Sequence, residues 1–203
     1  MKIVTLTRRQ FLMATSATPA VWKNVVATQE QQPPSELKTS TDDKHSITSV
    51  RRMSDSLYCF DPIGLHVQPG ETIRFIPGRM DMTTLSAYHP DNDNHELRIP
   101  ETAKPFDFGF PEQPFFDFVL GIEGTYDYFS KYQEVVGMVG RIVVGHPGGP
   151  GEKPWGYGGA EGRNPIYKSV LKITKLLNSQ DIMQKKVVPF PFDDMLPPYP
   201  LWD

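Results

Sequence analysis

The residues best suited to chemistry lie in one short segment in the second half of the chain. Ser130, Gln133 and Met138 directly follow an alternating polar and apolar run at 125–129. A hydroxyl and an amide are hydrogen-bonding groups, whereas a thioether is a soft ligand that favours Cu(I). The segment therefore predicts either a hydrogen-bonded polar pocket or a soft metal site.

Two further methionines bear on that choice. Met80 and Met82 precede a short apolar run, and both would lie near Met138 if the two segments meet at one end of a barrel. Three thioethers together would bind Cu(I). Methionine is also a flexible filler of irregular core space, and we favour this second interpretation.

A loop rich in histidine and acids is the other candidate metal site. His89 and His95 lie within the eight positions 89–96, together with Asp91, Asp93 and Glu96. Imidazoles and carboxylates at such spacing suit a metal, yet Asp- and Asn-rich stretches are also ordinary hairpin connections. We favour the connection. His66 is expected to be structural, and no role is expected for two histidines in predicted linkers, His45 and His146.

Cys59 is the only cysteine in the chain. A single cysteine excludes an internal disulfide and any zinc or iron–sulfur site that needs paired cysteines. Beside Leu57 and Phe60, Cys59 fits a small buried hydrophobe. The alternatives are a copper thiolate at this position and a thiol that pairs with another molecule.

Motifs that would predict an enzyme are absent from the sequence. No Gly-rich phosphate loop, Gly-x-Ser-x-Gly motif or His-Glu-x-x-His motif occurs. Asp127 alternates away from Ser130 on its predicted strand, so the two cannot form a Ser–acid pair. We therefore expect no enzymatic activity.

The elements that would position these residues are short strands. The 203 residues include 20 Pro and 16 Gly, and the net charge is −3. Alternating runs between Pro/Gly turns are typical of an antiparallel sandwich or barrel. The acidic balance argues against a nucleic-acid partner. The sequence contains no run of about 18 apolar residues, so we expect no membrane span.

The chain divides by composition into four segments. Residues 1–27 carry Arg8-Arg9 before Phe11-Leu12, which is typical of a twin-arginine export signal and predicts a periplasmic or otherwise exported protein. Residues 28–48 read as a flexible linker, 49–146 as the folded domain, and 147–203 as a Pro/Gly linker, an amphipathic helix at 165–177 and an aromatic tail. Ser179 predicts the cap of a second short helix that runs through Lys186.

The segment 124–140 resembles the copper loop of plastocyanin-like and halocyanin-like blue copper proteins, the cupredoxin family. That loop runs Tyr-x-Tyr-x-Cys-x-x-His-x-x-x-x-Met and ends in Gly-Met-Val-Gly, as Gly137 to Gly140 do here. The likeness extends over roughly residues 57–146, within which the segments 60–62, 67–75, 87–90, 97–101 and 105–107 carry it, and over two fragments of the tail, 181–183 and 187–188. The resemblance implies an all-β, cupredoxin-like Greek-key β-sandwich, here with a short helical C-terminal extension.

The same resemblance implies that the copper ligands are degenerate. Ser130 stands at the family's Cys position, Gln133 at its His position, and Met82 or Thr83 near its first His, so only Met138 is retained. A serine hydroxyl cannot replace the thiolate that type 1 copper requires. We expect an exported binding or interaction module with an unknown protein partner and no cofactor. The alternatives are a copper-binding electron carrier and a Met-based Cu(I) carrier.

Overall fold

The computed structural model of the chain describes residues 45–52, 57–78, 82–109, 114–156 and 167–192. The predicted export signal, residues 28–44 of the predicted linker, Met80 and the tail from residue 193 onward lie outside this part. Elements are numbered below in chain order.

One sheet has four strands. Its order is β2-β1-β4-β7, with β1 Ser46–Arg52, β2 Leu57–Asp61, β4 Thr72–Ile76 and β7 Phe116–Val119. β1 lies parallel to β4 and pairs Ile47 with Phe75. Because Ile47 is fully buried, the fold begins at Ser46, and the last residues of the predicted linker 28–48 belong to the sheet.

The second sheet has six strands in the order β10-β3-β9-β8-β5-β6. Two long strands form its centre, and β9 lies between β8 and the parallel strand β3. The six strands are β3 Gly64–Val67, β5 Leu85–Ala87, β6 Asp107–Phe108, β8 Gly124–Phe129, β9 Val139–Val144 and β10 Val187–Val188.

The main core lies between the two sheets. Phe60 and Phe75 of the four-stranded sheet are buried there with Tyr126, Tyr128 and Met138 of the other half. The rings of Phe60 and Tyr128 meet edge to face with centroids 4.9 Å apart, a favoured aromatic geometry. The predicted all-β sandwich with a short helical C-terminal extension is confirmed.

The outer face of the six-stranded sheet is also buried, because the C-terminal segment packs on it. Helix α1, Lys168–Thr174, and helix α2, Ser179–Lys185, flank this face. Their apolar residues form a second cluster with the sheet, made of Cys59, Ile63, Tyr88, Phe129, Val139, Val143, Val170, Ile173, Leu177, Ile182 and Phe190. β8 and β9 are therefore buried on both faces.

The two helices differ in detail from the sequence prediction. The apolar stripe of the first helix is present, with Val170 and Ile173 buried, and the helix ends at Thr174, three residues before the predicted end at 177. Residues 165 and 166 of the predicted helix lie outside the described residues. In the second helix the cap is Asn178, whose side chain accepts from the Asp181 N–H at 3.0 Å. Ser179 instead turns inward, and its hydroxyl donates to Glu152 at 2.5 Å.

A fully buried ion cluster ties these layers together. Asp127 on β8 accepts from Arg98 Nε at 2.7 Å and from Arg141 Nε at 2.7 Å. Both guanidinium groups also donate to the carbonyl of Gly151 at 2.9 Å. Arg141 reaches further to the carbonyl of Leu177 at 2.7 Å, so the cluster joins the sheet, the 150–153 segment and the helices.

Replacement of Asp127 by Asn is expected to destabilise the fold by about 3–5 kcal/mol, because two buried guanidinium groups would lose their counter-charge. Urea unfolding followed by circular dichroism measures this loss. The matched control is Asp117→Asn, which breaks the exposed pair with Arg74 at 2.8 Å and should cost less than about 1 kcal/mol. Equal losses in the two variants would contradict the assignment.

Candidate functional site

The segment 130–138 forms a closed loop between β8 and β9. The Ser130 N–H donates to the Met138 carbonyl at 3.1 Å, and the Met138 N–H donates to the Gln133 carbonyl at 3.1 Å. A 3₁₀ turn at Glu134–Val136 lies inside the loop, and Gly137 ends it with a φ of +90°, a conformation that favours glycine. The hairpin thus joins Ser130, Gln133 and Met138 through main-chain hydrogen bonds.

The Ser130 hydroxyl is fully buried and hydrogen-bonded within the protein. It donates to Gln133 Oε1 at 2.5 Å and accepts from the Thr84 N–H at 3.2 Å. A hydroxyl has one hydrogen to donate, and here the Gln133 amide oxygen accepts that hydrogen bond. The Ser130 hydroxyl therefore has both an acceptor and a donor within the protein.

The segment before β5 forms the other wall of the site. Thr84 Oγ1 accepts from the Lys131 N–H at 2.9 Å, which anchors this segment to the loop. Thr83 is fully buried, and its hydroxyl has no partner among the described residues. Of the two residues predicted near the first His position, Thr83 is thus inside, whereas Met82 is 55% exposed.

Met138 belongs to the main core and is fully buried. Met82 faces solvent, so these two thioethers lie in different environments, and Met80 is outside the described residues. Within the part of the chain that the structure describes, Met82 and Met138 therefore do not share a metal position.

The donor set does not fit a type 1 copper ion. Thr83, Ser130 and Gln133 supply neutral oxygen atoms, and Met138 supplies the one soft atom. Blue copper requires a thiolate and two imidazoles, and none of these groups is present among the four residues. Over the five described ranges, no three His, Cys, Asp or Glu side chains are grouped as a metal ion would require.

A buried polar cluster that the sequence did not predict flanks the loop. Glu134 accepts from the Tyr88 hydroxyl at 2.7 Å and lies 2.9 Å from His95 Nε2. His95 Nδ1 lies 2.8 Å from the carbonyl of Asn92. Both ring nitrogens face acceptors, an arrangement that favours the protonated imidazole, and His95 holds the loop through Glu134.

The electrostatics of this cluster agree with that geometry. Burial by itself lowers the pKa of His95, but its hydrogen bond to Glu134 and the charge of Glu134 raise the pKa above the ordinary value. Burial, reinforced by the Glu134 charge, also raises the pKa of Tyr88. Glu134 thus raises the pKa of both neighbours, the imidazole of His95 and the phenol of Tyr88.

The remaining candidates lie elsewhere. In the 89–96 loop, His89 Nδ1 accepts from the Asp91 N–H at 3.1 Å, and His95 contacts Glu134 and the carbonyl of Asn92. Cys59 is buried in the second apolar cluster, while Met138 is in the first. His146 is exposed and lies 3.6 Å from Glu123. His66 makes a buried contact to the Gly145 carbonyl.

Comparison with known proteins gives structural likeness only. No family model matches the chain, and no curated protein matches it. A pseudoazurin from Sinorhizobium is 21% identical, with a TM-score of 0.44 over 64% of this chain and 91% of that one. The pseudoazurin from Methylobacterium extorquens AM1 is 18% identical, with a TM-score of 0.44 over 64% and 93%.

A fern plastocyanin is a third similar structure. The oxidised plastocyanin from Dryopteris crassirhizoma is 15% identical, with a TM-score of 0.37 over 49% of this chain and 98% of that one. These are similarities of fold, and the two-sheet architecture itself follows from the strand pairing of this chain.

Substitution of Glu134 by Gln tests whether Glu134 raises the pKa of His95. We expect the pKa of His95 to fall, because the charge and the acceptor that raise it are gone while burial remains. A raised folded-state pKa stabilises the fold below the ordinary histidine pKa, and this stabilisation is lost as pH rises through the raised value. The variant should thus be less stable by about 1–3 kcal/mol near about pH 5, with a smaller deficit at higher pH.

Histidine ring signals in NMR titrations and urea unfolding at several pH values measure both effects. Glu101→Gln, at an exposed position, is the matched control and should change neither. An unchanged titration of His95 in Glu134→Gln would contradict the pairing.

Proposed function

We propose that this chain is an exported cupredoxin-fold binding module in which a hydrogen-bonded pocket replaces the type 1 copper site. The pocket consists of Thr83, Ser130, Gln133 and Met138. The observation that carries the proposal is the Ser130 Oγ to Gln133 Oε1 hydrogen bond of 2.5 Å. It joins the two residues at the positions where the resemblance implies a thiolate and an imidazole.

Copper binding at this pocket is unfavourable on chemical grounds. A copper ion would have to break the Ser130–Gln133 bond and leave buried polar groups with poorer partners, at a cost of about 1–3 kcal/mol for each group. In return it would gain a neutral hydroxyl and an amide oxygen, which are hard and weak ligands for Cu(I). We therefore propose that the pocket serves structure and recognition, with no enzymatic or redox step.

The exposed residues around the pocket support a role in protein contact. Met82, Tyr132 and Val135 are exposed by 55%, 50% and 47%, and all three lie on the two segments that form the pocket. Aromatic and Met side chains are enriched at protein interfaces. We propose a protein partner in the exported compartment, with the twin-arginine segment at residues 1–27 as the export signal.

Within the described ranges, every helix is too short or too polar to cross a bilayer. The acidic net charge of −3 makes nucleic acid an unfavourable partner.

Copper titration of the full chain tests the proposal. After addition of Cu(II) and then Cu(I), we expect no stoichiometric copper and no intense thiolate-to-copper absorption band, because the pocket offers no thiolate. The matched variant is Thr83→His combined with Ser130→Cys and Gln133→His. If the scaffold still has the geometry of a type 1 site, this variant should bind one copper and turn intensely coloured.

Two results would overturn the proposal. An intense copper absorption band in the unmodified chain would support the alternative function, a copper-binding electron carrier. Stoichiometric, colourless Cu(I) that disappears in Met138→Leu would favour a Met-based Cu(I) carrier. Loss of copper in a variant is informative only if its circular dichroism spectrum matches that of the unmodified chain.

A further inference from the structure

A cavity lies at the opposite end of the six-stranded sheet from the loop of Ser130, Gln133 and Met138. β9 begins next to Met138 and ends at Val144, beside which the cavity lies. The cavity holds about 280 Å³, and its lining residues are His45, His66, Gln68, Glu71, Lys186 and Val187. Lys186 and Val187 come from the C-terminal segment, so the cavity forms only where β10 pairs with β3.

Lys186 is held in a costly backbone conformation at this cavity. Its φ is +70° and its ψ is −44°, a region in which a side chain with a Cβ is disfavoured. The conformation is maintained by a hydrogen bond from the Lys186 N–H to Ile182 and by one from the His66 N–H to the Lys186 carbonyl. Strained backbone of this kind is concentrated at ligand clamps and active sites.

The ammonium group of Lys186 faces the imidazole of His66. Its Nζ lies 3.3 Å from His66 Nδ1, while His66 Nε2 lies 2.9 Å from the Gly145 carbonyl. The Gly145 carbonyl can only accept a hydrogen bond, so His66 Nε2 donates to it. Nδ1 then accepts a hydrogen bond from the Lys186 ammonium group. Among the described residues, two of the three N–H groups of the ammonium have no partner.

The cavity also carries an acidic group, Glu71. Glu71 accepts from the Gln68 N–H at 2.7 Å and lies 3.3 Å from His45 Nε2. The other ring nitrogen of His45, Nδ1, is buried and has no partner among the described residues. The cavity therefore presents one ammonium group, one carboxylate and one unsatisfied imidazole nitrogen.

From this arrangement we propose that the cavity binds a small zwitterion of the size of an α-amino acid. Lys186 takes the carboxylate of the ligand, and Glu71 together with His45 Nδ1 takes its ammonium group. A net anion would be repelled by Glu71 and a net cation by Lys186, so opposite charges within one molecule give the best match. The volume lies at the lower limit of pockets for drug-sized molecules, about 300–1,000 Å³, which suits a ligand of few atoms.

The proposal is tested with L-alanine as the probe. Long-range proton–nitrogen NMR spectra of the histidine rings in the full chain report on His45 and His66 directly. We expect both rings to shift in a saturable way with L-alanine, and acetate and methylammonium, which carry one charge each, to bind at least about tenfold more weakly. Lys186→Met should weaken L-alanine binding at least about tenfold.

Two further variants separate binding from folding. Lys185→Met removes the neighbouring exposed lysine, whose Nζ lies 3.5 Å from Asp181, and should bind L-alanine normally. Lys186→Gly relieves the positive φ, so it should raise the unfolding midpoint and still lose binding. A more stable protein that no longer binds cannot be explained by misfolding.

The proposal is wrong if L-alanine causes no saturable shift, if Lys186→Met binds as well as the unmodified chain, or if acetate binds as tightly as L-alanine. Its outcome is independent of the copper experiment, because Ser130→Cys changes the other end of β9 and should leave the L-alanine response unchanged.

Discussion

The structure depends on one fully buried carboxylate between two guanidinium groups. Asp127 accepts three hydrogen bonds from Arg98 and Arg141, at 2.7, 2.7 and 3.0 Å. An isolated buried charge is very costly, so Asp127 requires the two guanidinium groups, which are also paired with Glu96 and Glu152. Their remaining N–H groups require the carbonyl groups of Gly151 and Leu177. The C-terminal segment is therefore part of the fold, because without it the cluster would lose acceptors and meet water.

This constraint reaches both ends of the six-stranded sheet. Helix α1 supports the 130–138 loop, since the Ser169 hydroxyl donates to the Val135 carbonyl at 2.6 Å and Ile173 packs against Gly137. At the other end, α2 leads into Lys186 and β10, which complete the cavity at that end. One docked segment thus positions the loop of Ser130, Gln133 and Met138 and forms one wall of the cavity beside Lys186.

Local sequence pattern predicts which side chains of a strand or helix are buried. Alternation places Tyr126 and Tyr128 in the core and Asp127 on the opposite face, and the apolar stripe of α1 predicts its buried side. The pairing of Asp127 with residues 29 positions before it and 14 after it has no local signal. The same holds for Glu134 and His95, 39 positions apart, and for the Pro/Gly segment near Gly151, whose composition is that of a linker although it packs on β8.

Native-state hydrogen exchange of the full chain tests the central role of the Asp127 cluster most directly. If the cluster joins sheet and extension, the amide of Lys186, which ends α2, and the amide of Arg141, on β9, should exchange through one opening with the same free energy. The account is contradicted if the α1 and α2 amides exchange through a separate opening of much lower free energy while β8 and β9 remain protected.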